Sequence, residues 1–233
     1  MSRRSTPIRA VLFDAAGTLL HVHPSVGEIY AEEAARFGTD VSAAAAGAAF
    51  RSAWRALRPY ADGTTPFHTS DAIERAWWRG LVERVFAEAC GPGAFRGQFD
   101  EFFGALYVRF EQPSVWRLFD DVLPALDALR ERGVPIAVAS NWDSRLPRLM
   151  DAMGIAGRFR FVLTSAEAGV SKPAPEIFHQ AAARLATPPP QVLHVGDSVE
   201  DDVAGAERAG LRGLHLVRTF GAAVGAGRIR SLV

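Results

Sequence analysis

Cysteine and lysine are each represented once in this sequence of 233 residues, by Cys90 and Lys172. A single cysteine cannot form an internal disulfide, which favours a reducing compartment, and we therefore expect a cytoplasmic protein. The other 25 of the 26 basic residues are arginines. Any mechanism that needs a second lysine is excluded.

The sequence also lacks an excess of either charge and has no long apolar run. Lys plus Arg and Asp plus Glu both total 26, so the formal net charge is zero. No global positive field is available to hold nucleic acid or an anionic membrane surface. The first apolar run, Ile8 to Phe13, stops at Asp14, far short of the roughly 20 apolar residues that span a membrane. We expect neither a nucleic-acid nor a membrane partner.

Short apolar runs alternate with helical patterns along much of the chain. The runs end in polar or glycine-containing turns and comprise Ile8 to Phe13, Val134 to Ala139, Phe161 to Leu163 and Val192 to Val195. The helical patterns comprise Leu123 to Arg132, Ala174 to Leu185 and Asp202 to Ala209. This alternation predicts an α/β fold with a doubly wound parallel sheet, whose ligands bind beyond the carboxyl ends of the strands.

Between His23 and Val115 the strand-like runs disappear. Helical periodicity replaces them in Val26 to Phe37, Val41 to Leu57, Ser70 to Cys90 and Phe95 to Phe110. We therefore predict an all-helical domain, residues 23–115, inserted into an α/β core that is formed by residues 1–22 and 116–233.

Polar side chains follow the predicted strands at ends that share one edge of the sheet. They comprise Asp14 to Thr18, Ser140-Asn141, Lys172-Pro173 at the start of a helix, and Gly196 to Ser198 with Asp201-Asp202. Each group alone is a weak signal, because an Asp after a strand is often only a helix N-cap. Together they place carboxylates, a hydroxyl, an amide and an ammonium group in one crevice. This combination predicts a site for a divalent cation and an anionic substrate.

These segments resemble the four motifs of the haloacid dehalogenase (HAD) superfamily, in chain order and across nearly the whole predicted sheet domain. The helical insert resembles the C1-type cap of subfamily I. The stretches His23 to Tyr30 and Ala34 to Gly38 are similar to the rhythmically-expressed-gene-two-like branch. The resemblance implies a Rossmann-like core, a cap that closes over the crevice, and Mg²⁺-dependent hydrolysis of a small phosphorylated metabolite.

The resemblance also implies roles for the residues that handle the substrate. Asp14 would be the nucleophile and would form an aspartyl intermediate. Thr18 would close the loop behind it, and Ser140 with the neighbouring Asn141 amide would bind the phosphoryl oxygens. Lys172 would neutralise charge on the nucleophile and on the transferring group.

A second set of roles concerns the cation. The resemblance implies that Mg²⁺ would be held by the Asp14 carboxylate, the backbone carbonyl of Ala16, and Asp197, which together form the oxygen cage that this hard cation prefers. Asp202 would be a further ligand or an anchor behind the ligands, and Asp201 is its rival for that place.

Ala16 departs from the family pattern. HAD phosphatases usually carry a second Asp there, two residues after the nucleophile, which serves as general acid and base. A metal site tolerates alanine because the ligand at this position is a backbone carbonyl. Proton transfer does not, since losing a positioned general acid costs on the order of 10²–10⁴ in rate.

Three interpretations of Ala16 remain open. The first is a phosphatase whose leaving group needs little help, or whose proton comes from His21, His23 or the cap. The second is a dehalogenase, whose halide leaves without a proton; that enzyme needs no metal, however, and without a cation Asp197 would stand unpaired near Asp14. The third is a non-catalytic domain that binds a phosphorylated ligand or a protein partner. Phosphonoacetaldehyde hydrolase, which has alanine at this place, needs a cap lysine and is excluded.

Overall fold

The computed structural model describes residues 6–57, 68–218, 228–229 and 231–232. The described residues divide into two compact units. The first unit holds residues 6–21 and 68–71 and the described chain from Leu118 onward. The second unit holds residues 22–57 and Ala72–Arg117. Residues 68–71 therefore belong to the first unit, although they lie in the middle of the stretch that the sequence marks as an insert.

The predicted fold class is confirmed in the first unit, which contains a parallel sheet of six strands in the order β5-β4-β1-β6-β7-β8. A separate pair of strands, β2 and β3, forms a second small sheet. The strands are β1 (Ala10–Phe13), β2 (Leu20–Val22), β3 (Trp116–Leu118), β4 (Ile136–Ser140), β5 (Val162–Thr164), β6 (Val192–Gly196), β7 (Arg212–Leu216) and β8 (Arg228–Ile229). The sequence predicted β1, β4, β5 and β6 and missed the other four.

Helices α1 to α4 belong to the second unit and α5 to α9 to the first. Their bounds are α1 (Val26–Arg36), α2 (Ala43–Leu57), α3 (Asp71–Cys90), α4 (Phe99–Arg109), α5 (Val122–Glu131), α6 (Arg145–Ala152), α7 (Ser165–Ala168), α8 (Pro175–Arg184) and α9 (Gly205–Arg208). A π-helical turn, Val199–Ala204, leads into α9. Among these helices, none has the length and apolar character that crossing a membrane requires.

Strand β1 lies at the centre of the sheet, between β4 and β6, and all four of its residues are buried. A parallel strand that is covered on both faces needs apolar side chains throughout, which explains the unbroken run Ala-Val-Leu-Phe. Leu12 shares a core with Ile177 and Phe178 of α8. Each large apolar side chain that is fully buried in this way contributes about 1.5–3 kcal/mol.

The register of the sheet brings three polar segments to the same edge. Phe13 lies opposite both Val138 of β4 and Val195 of β6. Asp14 follows Phe13 directly, and Ser140 and Asp197 each come two residues after the partner of Phe13. The three side chains therefore emerge together at the carboxyl ends of neighbouring strands.

The second unit is built from helices around an aromatic core. The Phe95 and Phe102 rings stack with their centroids 4.0 Å apart, and the Phe86 ring meets that of Phe102 edge-on at 4.9 Å. Helix α1 packs along α2, whose alanine-rich sequence permits a close approach. The use of this unit as a cap remains a proposal.

Candidate active site

Lys172 joins two buried carboxylates at the edge of the sheet. Its Nζ atom donates hydrogen bonds of 2.6 Å to Oδ1 of Asp14 and of 2.6 Å to Oδ1 of Asp202. The side chains of all three residues are almost fully buried. The single lysine of the chain therefore lies between the residue that follows β1 and a residue in the turn after β6.

Burial and charge act against each other in this group. Burial lowers the pKa of Lys172, but the charges of Asp14 and Asp202 outweigh it and leave the pKa above its usual value. Burial raises the pKa of Asp202, but Lys172 and a hydrogen bond from His194 reverse that effect and lower it. For Asp14 burial prevails over Lys172, and its pKa is raised. The site thus holds a permanent ammonium group beside a carboxylate whose charge is not fully compensated.

Two polar residues at the end of β4 contact the pair formed by Asp14 and Lys172. Ser140 binds Asp14, and Asn141 binds Lys172. The hydroxyl of Ser140 donates to Oδ1 of Asp14 at 3.0 Å. The side-chain amide of Asn141 instead donates to the backbone carbonyl of Lys172 at 2.8 Å and accepts from the backbone N–H of Lys172 at 2.7 Å. This pair of bonds fixes the chain at Lys172. The substrate contact of Asn141 stays a prediction.

Asp197 follows β6 and lies against the loop that carries Asp14. A Cβ atom at Gly17, whose φ is +83°, would come within 2.5 Å of a carboxylate oxygen of Asp197. Glycine is therefore required at position 17 both by the backbone conformation and by the space that Asp197 fills. The His215 ring holds the other side of the residue, with Nε2 at 3.0 Å from the carbonyl oxygen of Asp197.

Asp14, Asp197 and Asp202 form a carboxylate cluster that suits a divalent cation. One oxygen of each lies within 4.8 Å of the others. Mg–O bonds of about 2.1 Å put neighbouring ligand oxygens about 3 Å apart, so the carboxylates need to close by no more than about 2 Å. Three carboxylates face one ammonium group here, and the desolvation of Asp197 together with repulsion from Asp14 and Asp202 raises its pKa to about 7. A cation would relieve that repulsion.

Asp201 and Asp202, the two candidates for the further role at the cation site, have different contacts in the turn after β6. Asp202 is buried, and its Oδ2 accepts from the backbone N–H of Ser198 at 2.9 Å. Asp201 instead accepts from the Ser198 hydroxyl at 3.1 Å and is not among the three clustered carboxylates. Both oxygens of Asp202 are engaged by protein donors. This geometry favours a role as the anchor of Lys172 over direct coordination.

His194 is a site residue that the sequence analysis missed. It lies on β6, fully buried, with Nε2 at 2.9 Å from Oδ1 of Asp202. A histidine inside an apolar strand, here Val-Leu-His-Val, indicates a residue of the hydrophobic core rather than of a site. The signal that could have revealed it is its position two residues before the Gly196-Asp197 pair, on the face that turns towards Asp202.

The remaining predicted residues near the nucleophile are Ala16 and Thr18, in the loop after β1, and His21, in β2. Thr18 is fully buried, as Ser140 and Lys172 are, and its place among the substrate-binding residues stays a prediction. Ala16 is exposed, and its side chain supplies no acid. The His21 ring packs against Phe119 with their centroids 4.7 Å apart.

Comparison with known proteins agrees with this geometry. The family model for haloacid dehalogenase-like hydrolases matches residues 8–210. The chain is 35% identical over 218 residues to haloacid dehalogenase-like hydrolase domain-containing protein 3 of Danio rerio, covering 92% of this chain and 87% of that protein. It is 27% identical to the rhythmically expressed gene 2 protein of Drosophila melanogaster, covering 89% and 82% of the two chains.

Two further likenesses concern an enzyme and a solved structure. Over 61% of this chain and 57% of the relative, the sequence is 31% identical to a phosphoserine phosphatase of Thermus thermophilus. The fold matches the crystal structure of a HAD-superfamily hydrolase, subfamily IA, variant 1, from Geobacter sulfurreducens with a TM-score of 0.68 and 22% identity, covering 97% and 93% of the two chains. The chain belongs to the haloacid dehalogenase-like hydrolase family, within the part of it that includes the rhythmically expressed gene 2 protein.

Proposed function

We propose that this protein is a Mg²⁺-dependent phosphatase of a small phosphorylated metabolite, and that it works through an aspartyl-phosphate at Asp14. One observation carries the proposal: Asp14 shares Lys172 with Asp202 and lies in a carboxylate cluster with Asp197. The cluster holds more negative charge than one ammonium group neutralises. A divalent cation would offset this charge and allow a negatively charged phosphoryl group to enter.

The residues that would hold Mg²⁺ are Asp14, Asp197 and the backbone carbonyl of Ala16, with Asp202 behind them. When bound, the cation would offset the negative charge of the carboxylates and of the incoming phosphoryl group. The role of Ala16 needs only its backbone, so the alanine side chain does not weaken this part of the proposal.

The first chemical step is the attack of Asp14 on phosphorus. Both hydrogen bonds found on its carboxylate within the described chain fall on Oδ1, which orients the group and leaves Oδ2 for attack. The bond between phosphorus and the ester oxygen breaks, and the leaving group departs with the electron pair. Lys172 stays charged throughout and stabilises the negative charge that gathers on the transferring group.

The second step is the attack of water on the phosphorus of the aspartyl-phosphate. It releases inorganic phosphate and returns Asp14 to its carboxylate form. The proton from water leaves with phosphate or passes to solvent, because Ala16 offers no base. Because Ala16 also offers no acid, the first step favours substrates whose leaving group is a weak base, such as an acyl or aryl phosphate.

The family relationship supports a phosphatase over a dehalogenase. Haloacid dehalogenases need no cation, yet here Asp197 lies close to Asp14 and its pKa is raised to about 7. The likeness to phosphoserine phosphatase spans 61% of the chain. We further propose that the helical second unit acts as the cap that selects the substrate, so the identity of the substrate depends on residues outside the carboxylate cluster.

The test is hydrolysis of p-nitrophenyl phosphate with and without Mg²⁺, followed by a screen of phosphorylated metabolites. The proposal expects turnover that needs Mg²⁺, disappears in the Asp14→Asn variant and survives in a surface variant such as Arg184→Met. Chloride release from 2-chloropropionate without metal would establish the dehalogenase instead. Binding of phosphate esters without turnover of any of them would favour a non-catalytic domain.

A further inference from the structure

A largely enclosed arginine binds the backbone of the nucleophile loop. Arg218 follows β7, and its Nη2 donates to the backbone carbonyl of Thr18 at 2.6 Å. Its Nη1 donates to both oxygens of Asp121, at 2.8 Å and 2.7 Å. The guanidinium carbon lies 4.0 Å from the centroid of the Phe119 ring. None of the four sequence motifs includes Arg218, and the proposed function does not use it.

The loop that Arg218 contacts has a compact internal structure. The Ala15 carbonyl accepts from the backbone N–H groups of Thr18, Leu19 and Leu20, at 3.2, 2.8 and 3.1 Å, and Gly17 N–H donates to Leu20 at 2.8 Å. These bonds tie residues 15–20 to one another. A bond to the Thr18 carbonyl therefore constrains the loop that follows Asp14 and contains the Ala16 carbonyl.

Arg218 is itself held firmly. The side chains of Arg218 and Asp121 are only 16% and 11% exposed. Asp121 also accepts from the hydroxyl of Ser231 at 2.8 Å and from the backbone N–H of Leu232 at 2.7 Å. The chain near its C-terminus is thereby tied to the start of α5, and Arg218 connects both to the nucleophile loop.

The contacts of Arg218 require a guanidinium group. One planar fork reaches the Asp121 carboxylate with two bonds and the Thr18 carbonyl with a third, while its face lies on an aromatic ring. A lysine has a single point of donation and cannot satisfy both partners and the ring at once. Arginine supplies 25 of the 26 basic residues of this chain. At position 218 the three hydrogen bonds and the ring contact require arginine rather than lysine.

We propose that Arg218 is a positioning residue for the phosphatase reaction: together with Asp121 it fixes the nucleophile loop through the Thr18 carbonyl. The inference rests on the proposed function for its kinetic part. Misplacing a reacting group by about 1 Å can cost 10²-fold in rate. Because Arg218 touches no substrate atom in this scheme, its loss should lower kcat and leave KM nearly unchanged.

The experiment compares Arg218→Met and Arg218→Lys with a control, Arg158→Met. Arg158 forms an ion pair with Asp127 in the same unit, away from the nucleophile loop. We expect kcat on p-nitrophenyl phosphate to fall by about 10- to 100-fold in both Arg218 variants, with KM within about threefold, and the control to match the wild type. Adding Asp121→Asn to Arg218→Met should cost little more, because the two residues act as a unit.

A second readout does not depend on activity. Hydrogen exchange, followed by mass spectrometry of the peptide that covers residues 14–20, should be faster in both Arg218 variants and unchanged in Arg158→Met. If Arg218→Met does not fold, Arg218→Lys keeps the charge beside Asp121 and supplies both measurements. Unchanged exchange in the loop would overturn the inference, as would a kcat loss that the control shares. A wild-type protein without Mg²⁺-dependent turnover would contradict the proposed function and leave the exchange result to decide the role of Arg218.

Discussion

The side chain of Asn141 binds the backbone of Lys172. Its amide group donates to the Lys172 carbonyl at 2.8 Å and accepts from the Lys172 N–H at 2.7 Å. The two residues are 31 positions apart, at the ends of different segments of the fold. This pair of bonds fixes the starting point of the lysine side chain. The position of the ammonium group between two carboxylates follows from it.

Substituting Asn141 should therefore impair catalysis through Lys172. We expect Asn141→Ala to lower kcat by about 10- to 100-fold, because a displaced charge no longer faces the transferring group. KM should change less, since the Asn141 side chain bonds to the backbone of Lys172 in the structure. The measurement is steady-state kinetics on p-nitrophenyl phosphate, with Gln180→Ala as the control for losing another side-chain amide bond to a backbone carbonyl. A variant whose KM rises while kcat stays unchanged would return Asn141 to substrate binding.

Restoring an acid at position 16 should help substrates with poor leaving groups. Ala16 is exposed, so an aspartate side chain has room there, and a positioned general acid contributes on the order of 10²–10⁴ in rate. Ala16→Asp should raise kcat on alkyl phosphates towards that range and change turnover of p-nitrophenyl phosphate much less. Ala16→Asn, which has the same shape without the acid, is the matched control. Equal effects of the two variants would show that proton transfer is not what limits the native enzyme.

The raised pKa of Asp197 predicts how metal-free stability depends on pH. Its folded pKa of about 7 lies above the usual value of 3.8, so the folded state binds the proton more tightly than the unfolded state does. The resulting penalty is absent below pH 3.8, grows between pH 3.8 and 7, and is complete above pH 7. Asp197→Asn should therefore raise the melting temperature of the metal-free protein at pH 8 and not at pH 4. Although neighbouring atoms desolvate the Asp197 carboxylate, part of the residue remains in contact with solvent. Solvent screening will therefore keep this change small.

Magnesium bound at Asp197 should stabilise the protein at high pH, where the unpaired Asp197 carboxylate destabilises it. Mg²⁺ stabilises the state that binds it by mass action, so it should raise the melting temperature of the wild type at pH 8 and do so less as the pH falls below 7. Asp197→Asn should lose most of this response. Asp201→Asn, a change of the neighbouring aspartate that lies outside the carboxylate cluster, should keep it. Loss of the response in both variants, or in neither, would contradict the assignment of Asp197.

His194 should contribute to activity through Asp202. Its Nε2 lies 2.9 Å from the same oxygen that binds Lys172, so we expect His194→Gln to lower kcat by about tenfold and to cost about 1–3 kcal/mol in the free energy of unfolding. His179→Gln is the control, because the His179 ring also contacts an oxygen atom, the backbone carbonyl of Ala209, outside the site. The comparison needs urea unfolding alongside kinetics. A His194 variant that is destabilised but fully active would reduce the residue to a core role.

Sequence alone predicted the centre of the sheet because burial on both faces forces unbroken apolar runs such as Ala10–Phe13. It missed β2 and β3, which are only three residues long and pair across almost 100 positions. It also missed β7, where Arg212, Gly213 and His215 interrupt the apolar character. A strand whose residues are mostly half-buried does not need a continuous hydrophobic run.

The sequence predicted the charged residues of the site from their positions in the chain. It could not predict which side chains contact one another in the folded protein. Asp14 and Asp197 follow strands β1 and β6, Lys172 lies shortly before α8, and the structure brings all three to one site. The direction of the Asn141 amide could not be read from sequence, since it depends on a loop 31 residues away. Arg218 carries no motif at all; only the fold brings it to Thr18.

The most direct test of the account is to look for a phosphoryl group on Asp14. Wild-type protein is mixed with Mg²⁺ and a turned-over substrate, quenched in acid within milliseconds, and digested for mass spectrometry of the peptide that contains residues 10–20. The account predicts a phosphorylated Asp14 that forms and decays at rates consistent with kcat, and that is absent from Asp14→Asn. Turnover that proceeds with no phosphoryl group on this peptide, or that persists in Asp14→Asn, would contradict it.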